Sequence, residues 1–115
     1  MQRKNKEIKQ IFFDLDGTLL DTAPQFHSAL SNLIKMKGVE KVMFQDVRKL
    51  VSDGVNALVN LAFKINEEDK NFKSLRAELL AEYSKNYLQS LLFQGTEELL
   101  KTLNEKKITW GIVTN

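Results

Sequence analysis

Two kinds of apolar pattern divide this chain. Ile11-Phe12-Phe13 is a short unbroken apolar run, and Thr109 to Val113 is a second strand-like stretch; their length and aromatic or β-branched content suit buried parallel strands. Between them the pattern turns helical. Phe26, Leu30, Leu33 and Ile34 recur at spacings of four, three and one, which puts one apolar face on a helix that Gly38 is placed to stop. Asp46 is the expected N-cap of a short helix burying Val47, Leu50 and Val51, interrupted at Asp53-Gly54. Val55 to Phe63 is apolar over much of its surface and predicts a buried helix, and Asn66 to Lys70 reads as a polar turn. Phe72, Leu75, Leu79, Leu80, Tyr83 and Tyr87 then mark a long amphipathic helix. Thr96 opens a last helix with Leu99, Leu100 and Leu103 inward, leading into the second strand. No internal repeat, low-complexity segment or Pro/Gly-rich linker interrupts this order.

Composition narrows the function classes. At 115 residues and 43% hydrophobic, the chain suits one average domain with a real core. The absence of Cys excludes a disulfide framework, a thiolate metal site and a Cys nucleophile. A net charge of +2 is too small to indicate a nucleic-acid partner, so Arg3, Lys4, Lys6 and Lys9 read as a solvated lead-in. That basic start mimics a signal peptide, but Asp14 cuts the following apolar run far short of an h-region. No stretch reaches membrane-spanning length. The expectation is a cytoplasmic protein with neither nucleic acid nor membrane as partner. His27 is the single His and is expected as a packed or half-exposed helix residue; with no second His or Cys at ligand spacing, no zinc site is supported. Tyr83, Tyr87 and Trp110 are expected in packing roles.

The chemistry concentrates where the first strand ends, in Asp14-Leu15-Asp16-Gly17-Thr18. Acids at the carboxyl end of a strand in an open α/β sheet face the ligand crevice. Asp-x-Asp-Gly-Thr arises by accident in on the order of one chain in a thousand of this length. A plain Asp/Gly turn would need neither the apolar strand before it nor the Thr. One Asp carboxylate can attack phosphorus to give an aspartyl-phosphate. A second, two residues on, lies on the same side of an extended backbone and can protonate the leaving oxygen. Two anions facing a phosphate demand a cation, and octahedral Mg²⁺ is the expected one.

This segment resembles the first motif of the haloacid dehalogenase superfamily. The resemblance implies Asp14 as nucleophile, Asp16 as general acid/base, and Mg²⁺ held by Asp14 and the Asp16 carbonyl. An acid at position 16 favours phosphatase or phosphomutase over the dehalogenase and transport-ATPase branches. Ile112-Val113-Thr114-Asn115 resembles the second motif, which makes Thr114 and Asn115, with Thr18, the expected phosphate-binding residues. Leu50 to Val55, Leu75 to Leu80 and Leu91 to Gly95 resemble the phosphoglycolate phosphatase group, with Gln94 where that group usually has Pro. Val51 to Phe63, Leu75 to Tyr83 and Ile108 to Asn115 are similar to members acting on N-acetylmuramic acid 6-phosphate.

The implied fold is α/β: a partial Rossmann-like parallel sheet core, first strands only, with an inserted all-helical cap. Residues 1–23 and 91–115 belong to the core in that scheme, and 24–90 to the cap. Arg48, Ser52 and Gly54 sit at the cap's helix break, where they are expected to reach over the crevice to substrate. The implied activity is Mg²⁺-dependent hydrolysis of a small phosphorylated metabolite, 2-phosphoglycolate or N-acetylmuramic acid 6-phosphate. The family's third-motif Lys and fourth-motif acids lie beyond the second motif, and Asp46, Asp53 and Asp69 sit in the wrong regions to replace them. The chain is therefore expected to be the N-terminal half of such an enzyme, inactive alone. The alternative is a phosphate-binding or interaction module that never turns over. A response-regulator receiver fails on layout, because its acceptor Asp belongs after a later strand.

Overall fold

The computed structural model describes residues 7–114, so Arg3, Lys4, Lys6 and the phosphate-binding expectation for Asn115 lie outside the described residues. In chain order the elements are β1 (Gln10–Phe13), β2 (Leu20–Asp21), α1 (Ala23–Lys37), α2 (Phe44–Leu50), α3 (Val55–Phe63), α4 (Phe72–Ser84), β3 (Leu91–Leu92), α5 (Thr96–Glu105) and β4 (Thr109–Ile112). The protein is a mixed α/β structure, mostly helical, in which β1 and β4 form a parallel pair.

The register of that pair sets Ile11 opposite Trp110 and Phe12 opposite Gly111. A Cβ at Gly111 would stand 3.4 Å from two carbons of the Phe12 ring, so the missing side chain makes room for the aromatic. Phe12 remains 65% exposed and Ile112 47%, because among the described residues this sheet is only two strands wide. Ile11, Phe13 and Trp110 are half-buried, so the sheet is covered only in part.

The continuous core lies in the helices instead. Leu30 and Leu33 of α1, Val47 of α2, Leu58 and Val59 of α3 and Leu79 of α4 are buried together. Each comes from the apolar stripe of its helix, and removing such stripes from water is what holds four short helices together. α1 ends as expected at Gly38, whose φ of 69° suits the left-handed position that closes a helix.

Several local expectations are corrected. α2 starts at Phe44 with Met43 before it, so Asp46 is a first-turn acid rather than the cap; Phe44 is drawn into the helix by packing against the core. α4 stops at Ser84, and Tyr87, 48% exposed, opens a separate 3₁₀ turn, Tyr87–Gln89. Leu99 of α5 is 45% exposed while Leu103 is buried, since the narrow sheet gives Leu99 nothing to cover. Trp110 is half-buried, with its indole N–H donating to Asn104 Oδ1 at 3.0 Å. An antiparallel ribbon of β2 on β3, two residues a side, has no strong sequence signal and was not anticipated. Among the described residues no helix is long and apolar enough to cross a membrane.

Candidate active site

β1 delivers its last residue, Phe13, to the carboxyl end of the sheet, where the Val113 N–H donates to the Phe13 carbonyl at 2.8 Å. Asp14 follows directly. The chain then folds on itself: the Leu15 carbonyl accepts from the N–H groups of Thr18, Leu19 and Leu20 at 3.3, 3.0 and 3.0 Å. Gly17, at φ 79°, donates to the Leu20 carbonyl at 2.9 Å. This conformation favours glycine, and so does the space beside it, because an added Cβ would lie 3.1 Å from Val51 Cγ1. The motif loop is thereby pressed against the 3₁₀ turn Val51–Asp53 that joins α2 to α3.

That contact shapes the first carboxylate. Asp14 Oδ1 accepts the Leu15 N–H at 2.9 Å, and Asp14 Oδ2 accepts the Ser52 hydroxyl. One oxygen is thus held by its own loop and the other by the 3₁₀ turn between α2 and α3. Both donors are neutral, so they orient the anion without cancelling its charge.

Asp16 has a different environment. Burial pushes its carboxyl above the ordinary carboxylate range; the nearby Thr22 hydroxyl offsets part of that rise, and the negative charge of Asp14 adds to it. Thr22 is fully buried, and its hydroxyl lies close to Asp16 without a hydrogen-bond partner of good geometry. Asp16 therefore keeps its proton to a higher pH than an exposed carboxyl would.

Tyr83 arrives from α4. Its ring stacks on Phe26 with centroids 3.8 Å apart and planes 2° from parallel. Burial raises its phenol above the usual value, the Ser90 hydroxyl partly offsets this, and the charge of Asp16 raises it further. The Ser90 hydroxyl in turn donates to Gln25 Oε1 at 3.2 Å. The apolar stripe of α4 accounts for the ring of Tyr83 but carries no signal that its hydroxyl lies within electrostatic reach of Asp16. Thr22, Gln25 and Ser90 were likewise not singled out in the sequence, because only the fold brings them near the acids.

The remaining anticipated residues divide. Arg48 Nη2 donates to Asp21 Oδ2 at 3.3 Å, and Nη1 lies 3.2 Å from Oδ1 without hydrogen-bond geometry, so the guanidinium is paired with the acid that follows the motif loop. Gly54 is buried, with φ at 96°, and forms the hinge from the 3₁₀ turn into α3. Thr18 is exposed and its N–H is used inside the loop, which leaves only its hydroxyl to meet a phosphate. Thr114 is exposed just beyond β4, on the same end of the sheet as Asp14.

The donor set suits a hard cation. Asp14 offers a carboxylate and Asp16 a carbonyl, and Mg²⁺ takes one or two carboxylates while keeping several waters or phosphate oxygens. Among the described residues no Lys, Arg or His forms an ion pair with Asp14 or Asp16, and no group of three or more His, Cys, Asp or Glu comes together. The two acids thus fit part of a Mg²⁺ shell.

Comparison with known proteins identifies the family and the fold. The family model for haloacid dehalogenase-like hydrolases matches residues 11–115. Over 109 residues the chain is 37% identical to the N-acetylmuramic acid 6-phosphate phosphatase of Pseudomonas putida, covering 94% of this chain and 49% of that protein. It is 33% identical over 112 residues to a phosphoglycolate phosphatase of Xanthomonas campestris pv. campestris, covering 93% of this chain and 48% of the other. The fold is shared with the crystal structure of a haloacid dehalogenase-like hydrolase from Bacteroides fragilis, at TM-score 0.82 and 20% identity over 92% of this chain and 50% of that one. The chain spans about half the length of the curated relatives it matches.

Proposed function

Because the chain belongs to the haloacid dehalogenase-like hydrolases, we propose that it carries the nucleophile, the acid/base and the substrate cap of a Mg²⁺-dependent phosphatase. The observation that carries this reading is the setting of Asp14: it sits at the strand end, with Oδ1 on the Leu15 N–H and Oδ2 on Ser52, beside an Asp16 whose acidity is weakened. In the scheme, Asp14 attacks phosphorus as the bond to the leaving oxygen breaks, and Asp16 donates its proton to that oxygen. Water then attacks the phosphorus of the aspartyl-phosphate, Asp16 takes the water's proton, and phosphate leaves as the Asp14 carboxylate is restored. Mg²⁺, held by Asp14 and the Asp16 carbonyl, would supply charge balance for the phosphoryl oxygens. Thr18 and Thr114 offer hydroxyls to the phosphate.

In this proposal residues 24–90 are the cap, and 1–23 and 91–115 belong to the core. The crossing contacts Ser52 to Asp14 and Arg48 to Asp21 support a cap seated over the crevice. The names of the relatives point to 2-phosphoglycolate or N-acetylmuramic acid 6-phosphate as substrate. A second reading, a phosphate-binding module without turnover, is favoured for the chain by itself by one observation: among the described residues no third acid joins Asp14 and Asp16.

The test is turnover by the protein that carries this sequence, with excess Mg²⁺, of both metabolites and of p-nitrophenyl phosphate. Asp14→Asn is expected to abolish it, and Asp16→Asn to slow it by roughly a hundredfold through lost proton transfer. Wild-type-like turnover in the Asp14 variant overturns the mechanism. A kcat/KM for both metabolites no better than for the aryl phosphate overturns both substrate assignments.

A further inference from the structure

A second concavity lies away from the acids, between the C-terminal half of α1 and the segment running from Gly38 into α2. Its volume is about 840 Å³, within the usual range for small-molecule sites. It is built rather than incidental. His27 Nε2 lies 3.4 Å from the Val42 carbonyl, and the His27 ring meets the Phe44 ring edge-on with centroids 5.4 Å apart. These contacts fasten the α1–α2 connection to α1 and leave the groove open beside it. Its surface is mainly apolar, with Met43 65% exposed beside Phe44, although nothing in the helical core requires a large exposed side chain there.

The charged residues that line the groove share one sign. Lys35 and Lys41 both line it, no Asp or Glu does, and among the described residues neither lysine has an acidic partner at ion-pair distance. A mainly apolar lining that includes two lysines without acidic partners complements an apolar body with a negative head. From this we infer that the groove between α1 and α2 binds a small aromatic or branched organic anion, as a site separate from the phosphatase crevice. The ring of Phe44 also carries the Arg48 guanidinium, 4.9 Å from its centroid, and Arg48 is the residue paired with Asp21, the acid that follows the motif loop. A ligand seated on Phe44 therefore bears on the packing of Arg48. Any consequence for phosphate-ester turnover rests on the phosphatase reading; the binding itself does not.

The test uses naphthalene-2-sulfonate, always anionic, with naphthalene-2-sulfonamide as its uncharged counterpart. His27 is the single His in the sequence, so its imidazole signals in an NMR titration report on the groove without ambiguity. The expected result is saturable movement of the His27 ring, Met43 methyl and Arg48 Nε–H signals with the sulfonate. Affinity should fall about fivefold for the sulfonamide, and by a similar factor for the sulfonate when Lys35→Gln and Lys41→Gln are combined. If the double variant loses helical circular dichroism, the sulfonate–sulfonamide comparison on the unaltered chain decides. Unmoved His27 and Met43 signals overturn the site, and equal affinity for the two probes overturns its preference for an anion. Self-association that closes the groove, seen by sedimentation as the His27 signals shift with protein concentration alone, also overturns the inference and assigns the surface to a second copy.

Discussion

The Ser52 hydroxyl donates to Asp14 Oδ2 across 38 positions of chain. It is the most direct link between the helical core and the end of β1, and it falls on the carboxylate proposed as nucleophile. A single hydroxyl thus couples how firmly the two parts sit together to how the reactive oxygen points.

Replacing that hydroxyl tests the coupling. Ser52→Ala is expected to cost about 1 kcal/mol, the usual net worth of a partly exposed hydrogen bond, read as a lower urea midpoint at unchanged slope. An unchanged midpoint would mean that the contact contributes nothing to folding.

Gly17 and Gly38 make a matched pair. Both have positive φ, 79° and 69°, but a Cβ at Gly17 meets Val51 Cγ1 at 3.1 Å whereas one at Gly38 meets nothing within 4 Å. Gly38→Ala should cost about 1 kcal/mol for the backbone alone. Gly17→Ala should cost about 2–3 kcal/mol and weaken turnover too, since the loop and Val51 cannot both stay in place. Equal losses in chemical denaturation would show that the motif loop does not pack on the 3₁₀ turn Val51–Asp53.

Asp16 predicts a pH-dependent stability. Its folded carboxyl is held above the ordinary range, first by burial and further by Asp14, so the fold favours the protonated form. The stability linked to that proton is fully present in acid and is lost as pH rises through the raised value. Asp16→Asn stays neutral throughout. Without divalent cation it should melt about two degrees higher than wild type near neutral pH, and the gap should close in acid. A gap that widens in acid would show that Asp16 is stabilised as its anion.

Arg48 and Ser52 test where selectivity resides. If the cap break recognises substrate, Arg48→Ala should change the kcat/KM ratio between 2-phosphoglycolate and N-acetylmuramic acid 6-phosphate by about threefold or more, the loss of one exposed ionic contact. An unchanged ratio in both Arg48→Ala and Ser52→Ala places selectivity in other residues.

Hydrogen exchange separates the two layers. Amides beneath Leu30, Leu58 and Leu79, all fully buried, should be protected, whereas Ile11 to Phe13, on a two-stranded sheet with Phe12 exposed, should exchange quickly in the isolated chain. Strong protection of β1 in a monomer would contradict the view that this sheet is only partly covered.

What the sequence determined by itself was local. Apolar spacing located the faces of α1, α3 and α4, Gly38 marked a stop, and Asp14 to Thr18 stood out as the candidate site because strand, acids and Gly turn lie within one short stretch. Such signals depend on neighbours a few positions apart, which the chain carries as a pattern. The tertiary structure decided the rest. The register of Gln10 on Thr109, the Ser52 hydroxyl on Asp14, the choice of Asp21 by Arg48 and the stack of Tyr83 on Phe26 each join residues far apart in sequence. No periodicity encodes those pairings, because each depends on the angle at which whole helices and strands pack. The ends of elements followed the same rule: α4 stopped at Ser84, where its core contacts ran out, although the apolar spacing continued to Tyr87.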